Sequence, residues 1–129
     1  MTCRILVVDD AIFFRRLVRS RLEAEPGMTV IAEARDGKEA VAKAGEFQPD
    51  VVVIDGAMPL MDGVEALPLI REVAPGCRIV FMSPHDGMLE RAMEVGADAA
   101  INKGDSLKVC VDEVSVALDH SPGEQFSTC

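Results

Sequence analysis

The sequence predicts an α/β domain, a doubly wound five-stranded parallel sheet in the order 2-1-3-4-5 with helices on both faces. Three observations carry that expectation. Short, continuous apolar runs such as Ile5-Leu6-Val7-Val8 and Val51-Val52-Val53-Ile54 mark strands covered on both faces, since a sheet with one wet face would alternate apolar and polar residues. Between such runs the apolar period lengthens to that of a helix, so that β-then-α units repeat five times, and right-handed crossovers then make the sheet parallel. A chain of 129 residues, 49% of them hydrophobic, is one domain by length and buries a core without staples.

The first strand, Ile5 to Val8, is closed by Asp9 and Asp10. From Ala11 a helix follows: Phe14, Leu17, Val18 and Leu22 recur at helical spacing, Arg15, Arg16, Arg19 and Arg21 occupy much of the other side, and Pro26-Gly27 stops it. Residues 29–34 form the second strand, where Glu33 suggests an exposed edge. Asp36 and Glu39 make a capping box for a second helix with an Ala40, Val41, Ala44 stripe. The third strand ends on Asp55; Gly56, Pro59 and Gly63 punctuate a loop, and Asp62 with Glu65 caps a third helix carrying Val64, Leu67, Leu69, Ile70 and Val73, with Pro68 expected near its first turn. Residues 78–83 are the fourth strand. A fourth helix begins near Asp86 and runs through Leu89 and Met93 to Gly96, and residues 97–102 are a short fifth strand. A fifth helix turns Leu107, Val111, Val114 and Leu118 inward. The domain is expected to cover residues 1–118, with 119–129 a polar tail or the start of a linker.

Composition narrows the function. Net charge is 13 − 22 = −9, a field that repels nucleic acid, so direct DNA or RNA binding by this chain is not expected. No apolar run reaches the roughly 18 residues of a membrane span, and four apolar residues before two acids are too few for a signal peptide. Cys3, Cys77, Cys110 and Cys129 are scattered, with neither His85 nor His120 at ligand spacing. Free thiols in a reducing cytoplasm are therefore expected, rather than a disulfide framework or a zinc site.

The chemistry collects at the carboxyl ends of the strands: Asp9 and Asp10 after the first, Asp55 after the third, Ser83 after the fourth, Lys103 after the fifth. In the order 2-1-3-4-5 the topological switch lies between strands one and three, where ligand sites of open α/β sheets form. Carboxylates there repel one another, by about 3 kcal/mol for a pair at 5 Å with an effective dielectric near 20. They need a cation, and carboxylates with a loop carbonyl suit Mg²⁺. Lys103 adds a movable positive charge and Ser83 a hydroxyl donor, the set required when a carboxylate attacks phosphorus in line.

The acidic pair Asp9-Asp10, the run Asp55-x-x-Met58-Pro59-x-Met61-Asp62-Gly63, Ser83 and Lys103 together resemble the receiver domain of two-component response regulators, from residue 4 to about 118. The resemblance implies a flavodoxin-like three-layer sandwich, with Asp55 accepting phosphate from a sensor histidine kinase or histidine phosphotransfer protein. It implies Mg²⁺ held by Asp10, Asp55 and the carbonyl of Ala57, with Asp9 acting through metal waters. Lys103 would contact the phosphoryl group and Ser83 would turn towards it, switching the surface of the fourth helix and fifth strand for a downstream protein or output domain. Around Asp36-Gly37 and Lys103-Gly104-Asp105-Ser106 the chain is most similar to receivers joined to DNA-binding domains or to chemotaxis methylesterases. About eleven residues follow the fifth helix, so no output domain is expected within this chain, nor turnover catalysis beyond the self-phosphorylation and dephosphorylation of Asp55.

Three positions depart from the family pattern. Lys103 is followed by Gly104 rather than proline, Ala100 stands where an aromatic switch residue is expected, and Pro84 follows Ser83, so a backbone N–H is missing. Ala100 and Pro84 are the grounds for an alternative, a pseudo-receiver acting as a constitutive binding module. A phosphatase of the haloacid dehalogenase type would use similar residue types, but Ala57 stands at its second aspartate and its acidic pair would not come first. His85 is open to two readings, an influence on water attack or a plain loop residue. Phe13 is either a docking contact or a partly buried core side chain. Met58, Met61, Met82, Met88 and Met93 are read as packing.

Overall fold

The computed structural model describes residues 2–104 together with Asp112 and Val114. Strands β1 (Cys3–Val8), β2 (Met28–Ala34), β3 (Val51–Asp55), β4 (Arg78–Ser83) and β5 (Ala99–Asn102) alternate with helices α1 (Ile12–Glu23), α2 (Gly37–Phe47), α3 (Gly63–Val73) and α4 (Asp86–Glu94). The strands form one parallel sheet in the order β2-β1-β3-β4-β5, as expected. The fifth helix and the tail lie outside the described residues; Asp112 and Val114 are helical, and Val114 is buried.

Each apolar run is split between two cores by the pleat. Leu6, Val8, Val52, Ile54, Ile79 and Phe81 face α2, α3 and α4, meeting Ala40, Ala44, Val64, Leu67, Ile70 and Ala92. Ile5, Val7, Val51, Val53, Val80 and Ile101 face the other way, against Val18 and Leu22 of α1 and Val114. That double coverage explains why the runs are continuous, and it anchors the strand ends that carry the acids. Cys3 and Cys77 are buried free thiols, raised by desolvation to about 11, so both stay protonated at neutral pH. Among the described residues no helix is long and apolar enough to cross a membrane.

The local signals held in part. Asp62 and Glu65 form the full capping box, each side chain accepting the other's backbone N–H. Asp36 Oδ1 accepts the Glu39 N–H at 2.7 Å, but the return leg is missing: the Glu39 carboxylate pairs with Arg35 and Lys43 instead. Pro68 lies inside α3, past the first turn, on an exposed side of the helix. Edge strand β2 does carry Glu33, which is held by Arg15 at 2.7 Å and Arg19 at 2.6 Å, so part of the arginine row on α1 is a clamp.

Candidate functional site

Two strand ends deliver the acidic site. β1 and β3 are neighbours in register Val8 to Ile54, which brings Asp9, Asp10 and Asp55 to one crevice. One carboxylate oxygen from each lies within 4.8 Å of the others. Asp9 and Asp55 are buried and Asp10 is exposed, so the cluster opens outward through Asp10. Asp9 Oδ1 accepts the Ala11 N–H at 2.9 Å, which leaves Oδ2 turned inward.

Lys103 enters from β5. Its N–H donates to the Ser83 carbonyl at 2.9 Å, extending the β4–β5 ladder to this edge. Its Nζ lies 2.9 Å from Asp9 Oδ2 and 3.2 Å from Asp55 Oδ1, and 4.4 Å from the centre of the Phe14 ring. It meets the two oxygens as an ion pair, not along hydrogen-bond directions, and both are buried without a hydrogen-bond partner. Burial, then the Asp9 charge, pushes the Asp55 carboxyl up to about 6 against the pull of Lys103. For Lys103, burial works against the charge but the carboxylates outweigh it, so its pKa is raised. A single ammonium serves two buried carboxylates, while Asp10 adds a third within reach.

The donor set fits a hard divalent cation. Three carboxylates converge, two inward oxygens lack hydrogen bonds, and among the described residues no hydrogen bond occupies the carbonyl of exposed Ala57, two residues past Asp55. The loop that carries Ala57 is tightly held: the Gly63 N–H donates to Gly56 O at 2.8 Å, and a Cβ on Gly63 would fall 2.5 Å from Asp55 O. Only glycine permits that approach. Between these anchors the Met61 N–H returns to Pro59 O at 2.8 Å, a γ-turn with Leu60 at φ +69° and its side chain 83% exposed.

Ser83 is fully buried at the end of β4, one residue past Met82, the register partner of Asp55. Its Oγ accepts the His85 N–H at 3.1 Å across Pro84 and reaches Met88 Sδ at 3.6 Å. His85 is exposed and caps α4 through its backbone only. Phe13 is 79% exposed, which removes the core reading of that residue. Ala100 is buried on β5 opposite Phe81, and the Lys103–Gly104 peptide is trans. Sequence reasoning missed two neighbours of the site: Phe14 as the surface under Lys103, and Met88, read as packing alone. Phe14 carried a weak signal, an aromatic in the first turn after the acidic pair; Met88 carried none.

A doubly wound sheet with a buried, under-neutralised aspartate at its switch point, and with two further acids, a lysine and a serine at the same end, is an open α/β domain with its polar site at the carboxyl ends of the strands. The chain belongs to the response regulator receiver domain family, whose model matches residues 5–114, and is thus a phosphoacceptor of two-component signalling. It is similar to a protein-glutamate methylesterase/protein-glutamine glutaminase of Caldanaerobacter subterraneus, 49% identical over 98 residues, 73% of this chain and 26% of that protein. The receiver domain structure of Thermotoga maritima CheB superposes with a TM-score of 0.88 at 32% identity, covering 95% of this chain and 100% of that one. The Borrelia burgdorferi CheX-CheY-BeF3-Mg²⁺ complex matches with a TM-score of 0.82 at 28% identity, covering 90% and 89%.

One expectation is corrected by these relatives. The acidic crevice alone implies no turnover enzyme, yet the Caldanaerobacter protein is an enzyme by name. The physical reason is scope, because the residues of one strand edge carry no information about an active centre elsewhere in a longer polypeptide. This chain spans about a quarter of that relative's length.

Proposed function

We propose that Asp55 accepts a phosphoryl group from the phosphohistidine of a sensor histidine kinase or histidine phosphotransfer protein in the cytoplasm. An Asp55 carboxylate oxygen attacks phosphorus, the P–N bond to the imidazole breaks, and its electron pair returns to the ring nitrogen, which takes up a proton. Asp10, Asp55 and the Ala57 carbonyl would hold Mg²⁺ directly, with Asp9 behind them through water. Mg²⁺ would supply the positive charge that one lysine cannot. Lys103 leaves its ion pairs for the phosphoryl oxygens, and the Ser83 hydroxyl turns to donate to them, so that the α4–β5 surface changes. The output it controls is a methylesterase or glutaminase activity like that of the relatives. The −9 charge of the chain argues against nucleic acid as its own partner.

The observation that carries this reading is the pair of buried oxygens, Asp9 Oδ2 and Asp55 Oδ1, left without hydrogen bonds beside a third carboxylate. One ammonium is shared between these two oxygens, so the site carries more negative than positive charge until a cation joins it. Acetyl phosphate with Mg²⁺ is expected to add one acid-stable, base-labile phosphate by intact mass, and chelation to prevent it. Undiminished labelling of Asp55→Asn would exclude Asp55 as acceptor.

A further inference from the structure

We infer that Met88 is a positioning residue whose thioether holds the Ser83 hydroxyl in the unphosphorylated state, making the first turn of α4 the element that feels phosphorylation. The inference rests on the phosphoacceptor role proposed for Asp55.

Both hydrogen bonds of the Ser83 hydroxyl run to the start of α4. It accepts from the His85 N–H at 3.1 Å and donates towards Met88 Sδ at 3.6 Å. The Met88 N–H in turn donates to the His85 carbonyl at 3.1 Å, so the hydroxyl, the cap and the thioether form one closed unit. The sulfur also lies against the residue after the phosphoacceptor: a Cβ on Gly56 would fall 2.4 Å from Met88 Sδ and 2.7 Å from Phe81 Cζ. Gly56 is therefore the position at which the acceptor strand and α4 are in contact through one side chain.

A hydroxyl has one proton and cannot donate to sulfur and to a phosphoryl oxygen at once. A thioether is a weak acceptor and a phosphoryl oxygen an anionic, strong one, so a phosphoryl group on Asp55 draws the hydroxyl away from Met88. Ala100 opposite Phe81 supplies no ring on β5 to take up the space the hydroxyl leaves. The change is thus handed to α4 through Met88 and the His85 N–H.

The test uses the full chain and beryllofluoride with Mg²⁺ as the phosphoryl mimic, titrated to equilibrium. Met88→Leu keeps the bulk and removes the acceptor, and it is expected to bind about threefold more tightly than the parent, because the hydroxyl no longer leaves a partner behind. Met88→Gln places an oxygen acceptor at similar reach and is expected to shift binding the opposite way. Both shifts are expected to vanish when Ser83→Ala is added, a coupling that altered packing alone would not give. Equal or weaker binding by Met88→Leu, or a shift that survives loss of the hydroxyl, overturns the role of Met88. A parent that binds no beryllofluoride with Mg²⁺ instead overturns the phosphoacceptor reading on which the inference stands.

Discussion

Asp98 and Asp55 are both buried, and they stand at opposite ends of the strands of the same sheet. Asp98, just before β5, has Oδ2 bonded to Arg71 at 2.9 Å and to the Ile79 N–H at 2.6 Å; Arg71 also binds the Cys77 and Gly96 carbonyls at 2.6 and 2.7 Å. It ties α3, β4 and the entry to β5 together. Asp55, at the other end, faces a second buried carboxylate and shares one ammonium with it. Burial is therefore no guide to role. A buried acid whose partners are supplied by the fold is structural, whereas one left short of partners is waiting for something from outside.

The comparison breaks most readily at Asp98. Asp98→Ala is expected to destabilise the protein by about 3 kcal/mol, since it leaves the Arg71 guanidinium without its carboxylate and the Ile79 N–H without its acceptor. A denaturant midpoint shift equivalent to less than about 1 kcal/mol would remove the contrast.

Asp55→Asn should act in the opposite direction. The Asp55 carboxyl rises from 3.8 to about 6 on folding, so the folded state holds its proton more tightly than the unfolded one. Stability from this group is full below pH 3.8 and is lost as pH climbs through about 6 in the absence of metal. The neutral isostere removes this group's share of the slope. Thermal or denaturant unfolding of the two proteins from pH 4 to 8 in chelator checks it, and parallel curves would contradict the charge-repulsion account.

The smallest effect expected at the acceptor end concerns Leu60. Its γ-turn conformation costs about 1–3 kcal/mol in a non-glycine residue, and its exposed side chain recovers little. Leu60→Gly relieves that strain but adds unfolded-state entropy, for an expected net gain of about 0.5 kcal/mol. A loss of stability on this change would show that the leucine side chain is held by this domain after all.

Much of this was legible in the residues, for reasons that differ between the two ends. The strands could be read because both faces are covered, so their apolar runs are unbroken, and the placement of Asp9, Asp10, Asp55, Ser83 and Lys103 at one end of the sheet could be read because each stands at or just past a strand's carboxyl end. Asp62 announced its helix because a capping box is made within four residues. Asp98 and Arg71 could not be paired from sequence, as 27 positions separate them and nothing periodic links them. Glu39 was drawn from its cap by Arg35 and Lys43, a competition between local partners that spacing does not rank. The methionine that contacts Ser83 looked like any core methionine, because its role lies in where a sulfur atom points.

The sheet order also has a consequence for the life of the polypeptide on the ribosome. Asp9 and Asp10 come from the first β–α unit, Asp55 from the third, Ser83 from the fourth and Lys103 from the fifth. The first carboxylates emerge long before the lysine, and β1 must receive β3 before the cluster exists. Strands β1 and β3 by themselves carry all three acids, and without the Lys103 ammonium that set is less favourable than the finished site. The balance of charge at this site is therefore completed only with β5, which of the five strands among the described residues leaves the ribosome last.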